Sequence, residues 1–174
     1  MIQARDFIDA AAAYGYAHYA GVPCSFLTPF INTVIDADEL SYISAANEGD
    51  AVAIAAGQAL AGKRAVAMMQ NSGLGNAVSP LTSLNWVFRL PVLLIVTWRG
   101  APEVTDEPQH ELMGQITTDM LETMEIPWEF FPQEAQAIDA ALARAEDHMQ
   151  ATGRPYCLIM KKGTVAPAPL RETG

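Results

Sequence analysis

Pro91-Val92-Leu93-Leu94-Ile95-Val96-Thr97 is an apolar run with no charge inside it, followed at once by Trp98-Arg99-Gly100. It has the length of a strand and is far too short to span a membrane. A strand with one wet face alternates apolar and polar residues, so an unbroken run implies that both faces are covered. Ala65-Val66-Ala67-Met68-Met69 has the same character, and Tyr156-Cys157-Leu158-Ile159-Met160 closes the set. Shorter strand patterns lie at 18–23 and 41–45, and Trp128-Glu129-Phe130-Phe131 sits between two helical stretches. Residues 3–14 read as a helix with Phe7, Ile8, Ala11 and Ala12 on one face, and 26–35, 48–61, 110–124 and 133–151 also read as helices. Covered strands separated by helices predict an α/β fold, a doubly wound and mainly parallel sheet with helices on both faces. No repeat or second domain is visible, so one domain is expected over residues 1–165. A flexible tail is expected over 166–174, where Pro167 and Pro169 stand.

The chain has 174 residues, 51% hydrophobic and 17% charged, with a net charge of −10. That balance argues against a nucleic-acid partner, which needs a basic patch. It does not exclude a small anion, because local geometry can override the global sign. So sparse a charged surface suggests that another subunit covers part of it. Cys24 and Cys157 are far apart and lack metal-ligand spacing, so neither a zinc site nor a disulfide framework is expected. The opening residues show no basic and apolar leader pattern, and a cytoplasmic protein without a membrane segment is the expectation.

Ligands of open parallel sheets collect beyond the carboxyl ends of the strands. That selects the loops 22–28, 46–50, 70–76 and 97–110. In Asn47-Glu48-Gly49-Asp50, Asn47 can cap the next helix, and Glu48 and Asp50 suit the positive end of its dipole. Glu48 also sits where a strand hands over to a helix of small residues, Ala51 to Ala56, which permits close approach of a flat ligand. There it could exchange a proton with a ring nitrogen. Cap residue and working acid both remain open on local pattern. Gln70-Asn71-Ser72-Gly73-Leu74-Gly75-Asn76 is a strand-to-helix turn that lacks the third glycine of a dinucleotide fingerprint and the lysine of a phosphate loop. Arg99 could grip a phosphonate, sulfonate or carboxylate by forked hydrogen bonds, and His110 could move a proton near neutral pH. Each is as readily a surface ion pair or a helix-start residue. Cys24 has no basic partner in sequence, which favours a site-lining thiol over a nucleophile.

Taken in order, Gly21-Val22-Pro23-Cys24-Ser25, Ala46-Asn47-Glu48-Gly49, Gln70 to Asn76, Thr97-Trp98-Arg99-Gly100 and Asp106-Glu107-Pro108-Gln109-His110-Glu111 resemble the pyrimidine-binding half of thiamine-diphosphate decarboxylases. Within them the likeness is to the family that acts on phosphonopyruvate and sulfopyruvate. It runs over about residues 3 to 165. It implies that Glu48 hydrogen-bonds N1′ of the cofactor's aminopyrimidine and so promotes proton removal at the thiazolium. It places Pro23, Cys24, Asn71, Ser72, Gly73 and Leu74 along the cofactor. Ser25, Thr28 and Asn71 are placed near a small anionic 2-oxo acid substrate, with His110 in a region where relatives carry an active-site histidine. Arg99 is added as a candidate for the substrate anion on charge alone.

The resemblance also implies what the chain does not carry. Relatives hold Mg²⁺ and the diphosphate on a second α/β domain. Gly49-Asp50-Ala51 with Asn76 only imitates that domain's motif, because Ala51 stands where its last glycine belongs. No metal ligand is therefore assigned here. The expectation is a subunit that works with a separate diphosphate-binding β subunit, as α₂β₂, with thiamine diphosphate and Mg²⁺ between the chains.

Overall fold

The structure, a computed structural model, describes residues 1–171. Its strands are β1 (Tyr16–Gly21), β2 (Ser41–Ser44), β3 (Arg64–Gln70), β4 (Leu93–Thr97), β5 (Trp128–Phe130) and β6 (Tyr156–Met160). They form one 6-stranded sheet in the order β2-β1-β3-β4-β6-β5, and every pairing is parallel. The helices are α1 (Ala4–Ala13), α2 (Thr28–Ile35), α3 (Glu48–Leu60), α4 (Leu74–Pro80), α5 (Trp86–Phe88), α6 (Glu111–Thr123) and α7 (Ile138–Thr152). The expected α/β architecture is what the chain adopts.

The unbroken apolar strands divide their side chains between two cores, because successive residues of a strand point to opposite faces. Val66, Met68, Leu93, Ile95, Leu158 and Met160 join Phe7, Ile8, Phe30, Leu142 and Met149 from α1, α2 and α7. Ala65, Ala67, Met69, Leu94, Val96, Cys157 and Ile159 join Val52, Leu74, Ala77 and Leu121 from α3, α4 and α6. The first core is aromatic, with Phe7 5.6 Å from Phe30 and 4.6 Å from Phe131, ring centre to ring centre. The second is aliphatic, and where α3 packs on β3 it presents the small residues Ala55, Ala65 and Ala67.

The ends of the elements follow from local chemistry. Asp6 accepts a hydrogen bond from the Gln3 backbone N–H at 3.1 Å and fixes the start of α1. Gly153 takes a left-handed conformation, φ 70°, and closes α7. Gly21 ends β1 against β3, where an added Cβ would stand 2.6 Å from the Met68 carbonyl oxygen. Burial of Cys157 pushes its thiol pKa up.

Some boundaries differ from the expected ones. The strand expected at 18–23 runs Tyr16–Gly21, and the helix expected from 133 begins at Ile138 after a 3₁₀ turn, Ala135–Ala137. Residues 74–88 are helical throughout, with a π-helical stretch Leu81–Asn85 between α4 and α5. Pro80 lies at this junction and offers no N–H to the ladder. Arg89, at φ 53°, ends the segment.

The stretch expected as a tail is described as far as Arg171, and residues 172–174 lie outside the described residues. Val165 bridges to Ile2, Ala168 accepts from the Asn32 side chain at 2.7 Å, and the Arg171 N–H donates to Asp36 at 3.0 Å. Residues 165–171 thus run along α2. Among the described residues no helix is long and apolar enough to cross a membrane.

Candidate active site

The register aligns the carboxyl ends of the central strands, pairing Gly21 with Met68, Gln70 with Thr97, and Thr97 with Met160. The chain reverses between β1 and β3, which lie side by side although β2 falls between them in sequence. This switch opens a crevice at the carboxyl edge.

Glu48 stands at that crevice, on the first turn of α3. Asn47 caps the helix: its side-chain oxygen accepts the Asp50 N–H at 3.0 Å. The cap is therefore supplied by the neighbour, and the Glu48 carboxylate is directed elsewhere. Its Oε2 accepts from the Asn76 side-chain amide at 2.7 Å, while Oε1 accepts no hydrogen bond among the described residues. Glu48 is half-buried. The carboxylate lies over Gly73, where a Cβ would meet its Cγ at 2.2 Å and its Oε1 at 2.5 Å. Gly49 makes a second close approach, since a Cβ there would stand 2.8 Å from the Asn76 carbonyl oxygen. The small residues at 49 and 73 are thus what let α3 and the turn after β3 hold one carboxylate between them.

The turn after β3 divides its residues between surface and interior. Ser72 is exposed and its hydroxyl accepts from the Gln70 amide at 2.7 Å. Gly73 and Leu74 are buried. Asn71, expected along the ligand, is fully buried with its amide turned inward. The Nδ2 donates to the Arg99 carbonyl at 2.8 Å and to Thr117 at 2.9 Å, and the Oδ1 accepts the Arg99 N–H at 3.2 Å. Asn71 here ties the end of β3 to the loop after β4, because a buried amide must satisfy its polar atoms internally.

Pro23 and Ser25 are exposed in the loop leaving β1, Thr28 is exposed at the start of α2, and Cys24 is half-buried with its Sγ 3.6 Å from the Thr97 hydroxyl. The Cys24 carbonyl accepts from the Leu27 and Thr28 backbones, which folds this loop into the start of α2.

Arg99 is not free. Its guanidinium donates to both Asp106 oxygens, at 2.7 and 2.5 Å, and its side chain is 18% exposed. Asp106 also accepts the backbone N–H groups of Gly100 and Glu107, at 2.9 and 2.8 Å. The Arg99 guanidinium and these backbone donors outweigh burial and hold the Asp106 carboxyl well below the usual carboxylate range. Asp106 in turn raises the pKa of Arg99. His110 is 8% exposed, and its Nδ1 is buried without a partner. Gly100, at φ 65°, brings the chain so close to the His110 carbonyl that a Cβ would stand 2.1 Å from it. Among the described residues no group of His, Cys, Asp or Glu is clustered to hold a metal ion.

A switch-point crevice carrying an oriented, half-open glutamate defines a cofactor-binding α/β domain, and comparison with known proteins makes the class definite. Residues 1–123 match the thiamine pyrophosphate enzyme, N-terminal TPP binding domain, and the chain belongs to that family. A phosphonopyruvate decarboxylase of Streptomyces viridochromogenes is 43% identical over 173 residues, 99% of this chain and 44% of that protein. The sulfopyruvate decarboxylase subunit alpha of Methanocaldococcus jannaschii is 31% identical over 139 residues, 79% of this chain and 80% of that subunit. The chain thus spans under half the length of the first relative and most of the second. Benzoylformate decarboxylase from Polynucleobacter necessarius shares the fold, with a TM-score of 0.72 and 20% identity over 100% of this chain and 33% of its own.

Two residues at this site were not singled out from sequence. Asn76 was noted only as part of a motif, although its spacing from Gly73 puts it one helical turn away on the face toward Glu48. Asp106 gave no signal beyond opposite charge, since the reach of a loop is not periodic.

Proposed function

We propose that this chain is the pyrimidine-binding α subunit of a cytoplasmic thiamine-diphosphate decarboxylase that converts 3-phosphonopyruvate to phosphonoacetaldehyde and carbon dioxide. The observation that carries the chemistry is the Glu48 carboxylate, with Oε2 held by Asn76 and Oε1 open at the sheet's carboxyl edge. These residues fit the cofactor, because Gly73, where a Cβ would collide with Glu48, lets the carboxylate reach the crevice with Oε1 open to a ring nitrogen. When bound, thiamine diphosphate supplies a nucleophilic carbon and an electron sink for the departing carboxylate. Glu48 holds a proton at Oε1 for a ring nitrogen, and Asn76 keeps that oxygen aimed. Pro23, Cys24, Ser72, Gly73 and Leu74 would hold the cofactor's ring, and Ser25, Thr28 and His110 would serve the substrate. Asn71 and Arg99 support this wall from behind.

The diphosphate and Mg²⁺ are held by a separate β subunit in an α₂β₂ assembly. The similarity to alpha subunits supports a split enzyme, and the 43% identity over 99% of the chain supports phosphonopyruvate as substrate. The second reading is sulfopyruvate, favoured by the 80% of an alpha subunit that the chain covers. A third is a non-catalytic domain that binds a partner and keeps Glu48 only as a helix-start acid. Carbon dioxide release by the chain reconstituted with its β subunit decides among them. Faster turnover of phosphonopyruvate supports the proposal, faster turnover of sulfopyruvate moves it to the second reading, and none with either acid leaves the third.

A further inference from the structure

An acid with a phosphonate or sulfonate tail needs a cation, and the carboxyl edge of the sheet offers Arg99 after β4 and Lys161 and Lys162 after β6. Arg99 is spent: both arms of its fork are on Asp106, and taking it away would strip a partly buried carboxylate of its counter-ion. Lys161 is exposed, and among the described residues no carboxylate lies within ion-pair distance of it. Its ammonium rests against aromatic faces instead, 4.1 Å from the Phe130 ring centre and 5.6 Å from that of Trp98.

We propose that Lys161 is the residue that recognises the anionic tail of the substrate, a specificity role that rests on the function proposed above. The tail would enter the cavity between the end of β6 and the start of α2. That cavity, about 480 Å³, is lined by Ser25, Phe26 and Thr28 on one side and by Lys161 and the following segment on the other. Lys161 is the one charged residue on its wall among the described residues. In a chain of net charge −10, a concave surface without a carboxylate is where an anion is least repelled. A neighbouring cleft of about 440 Å³ shares Phe26 and Lys161 and adds Lys162, but it also carries the Glu103 carboxylate, which disfavours an anion relative to the acid-free cavity. Lys161 lines both spaces, so its flexible stem can present the ammonium to the acid-free cavity. There the Ser25 and Thr28 hydroxyls add donors. A lysine is a compact point charge and serves phosphonate and sulfonate alike. It sets the class of substrate, not the choice within the class.

The test is a ³¹P NMR titration of the full chain with 3-phosphonopropionate, an unreactive acid bearing the same tail, on wild type, Lys161→Gln and Lys161→Arg. Losing a charge-assisted contact weakens binding roughly 10- to 100-fold in Lys161→Gln, and Lys161→Arg recovers most of it. In the reconstituted complex, Lys161→Gln lowers kcat/KM for phosphonopyruvate by a similar factor, mostly through KM, while kcat/KM for pyruvate, which lacks the tail, changes less than twofold. Equal affinity of wild type and Lys161→Gln for 3-phosphonopropionate, or no binding by wild type, overturns the proposal. An equal loss of kcat/KM on pyruvate also overturns it. A wild-type complex inactive on both acids defeats the proposed function instead, and the titration still decides the role of Lys161.

Discussion

At the amino edge of the sheet, Glu146 is 4% exposed and saturated: the Tyr16 hydroxyl donates to it at 2.5 Å and Arg64 pairs with it at 2.6 Å. Burial first, and then this carboxylate, push the Tyr16 pKa up, so its hydroxyl remains a donor throughout the ordinary pH range. At the carboxyl edge, Glu48 is half-exposed and has one partner, Asn76, for one oxygen. Both carboxylates belong to helices packed on the same sheet. The difference teaches where the molecule keeps its unmet valences. Glu146 has partners for both oxygens and serves stability, whereas Glu48 keeps Oε1 without a hydrogen-bonding partner at the edge where ligands of such sheets collect. Asp106 marks the limit of the contrast, because it lies at the open edge yet is as fully engaged as Glu146.

Four experiments strain this contrast, beginning with the largest effect. Glu48→Gln in the reconstituted enzyme should lower carbon dioxide release about 10³-fold, within the range for a positioned acid or base, with an unchanged thermal transition. Activity that survives the change would return Glu48 to a structural role. Glu146→Ala should do the reverse, leaving the buried Tyr16 hydroxyl without its acceptor and costing about 1–3 kcal/mol in urea unfolding, while the folded fraction keeps its turnover. Gly73→Ala should displace the Glu48 carboxylate and reduce turnover about 100-fold, the usual cost of misplacing a catalytic group by an ångström, and tight packing at 73 without loss of activity would break the link.

Asp106→Asn should cost about 2 kcal/mol, the scale of charge-assisted hydrogen bonds lost within the protein. Because the folded-state pKa of Asp106 lies below its unfolded value, its contribution is complete above the unfolded pKa of about 4 and fades as pH falls toward the folded one. The stability gap between wild type and Asp106→Asn, measured by urea unfolding, should therefore be constant near neutrality and shrink below about pH 4. A gap that widens on acidification would contradict the ion pair.

How much of this could be read from sequence depends on whether the cause is periodic. The strands at 65–69, 91–97 and 156–160 were readable because a strand covered on both faces tolerates no polar residue in its middle. A helix was expected after the turn at 70–76, but its bounds were not drawn from the sequence: Leu74, Ala77 and Leu81 fall at helical spacing, while Pro80 interrupts the local pattern. The position of Glu48 followed from its place between a strand and a small-residue helix. The inward turn of Asn71 did not, since an asparagine amide suits a ligand and a buried backbone equally well. Nor did the Arg99–Asp106 pair, where an irregular loop decides the distance. The Asn71 partners lie on the loop after β4 and on α6, and nothing in the local pattern reports them.

The place of β6 has a consequence for how the chain acquires its shape. Residues 156–160 pair with β4 on one side and β5 on the other, so the last strand in sequence is interior to the sheet. Strands β1, β2 and β3 can associate once the first 70 residues exist, whereas β4 must wait with an open, apolar edge until β6 arrives. Parallel pairing at such sequence separation is slow because loop closure precedes any gain. A growing chain paused before residue 156 therefore leaves the β4 edge at Leu93 to Val96 unpaired, a template for aggregation.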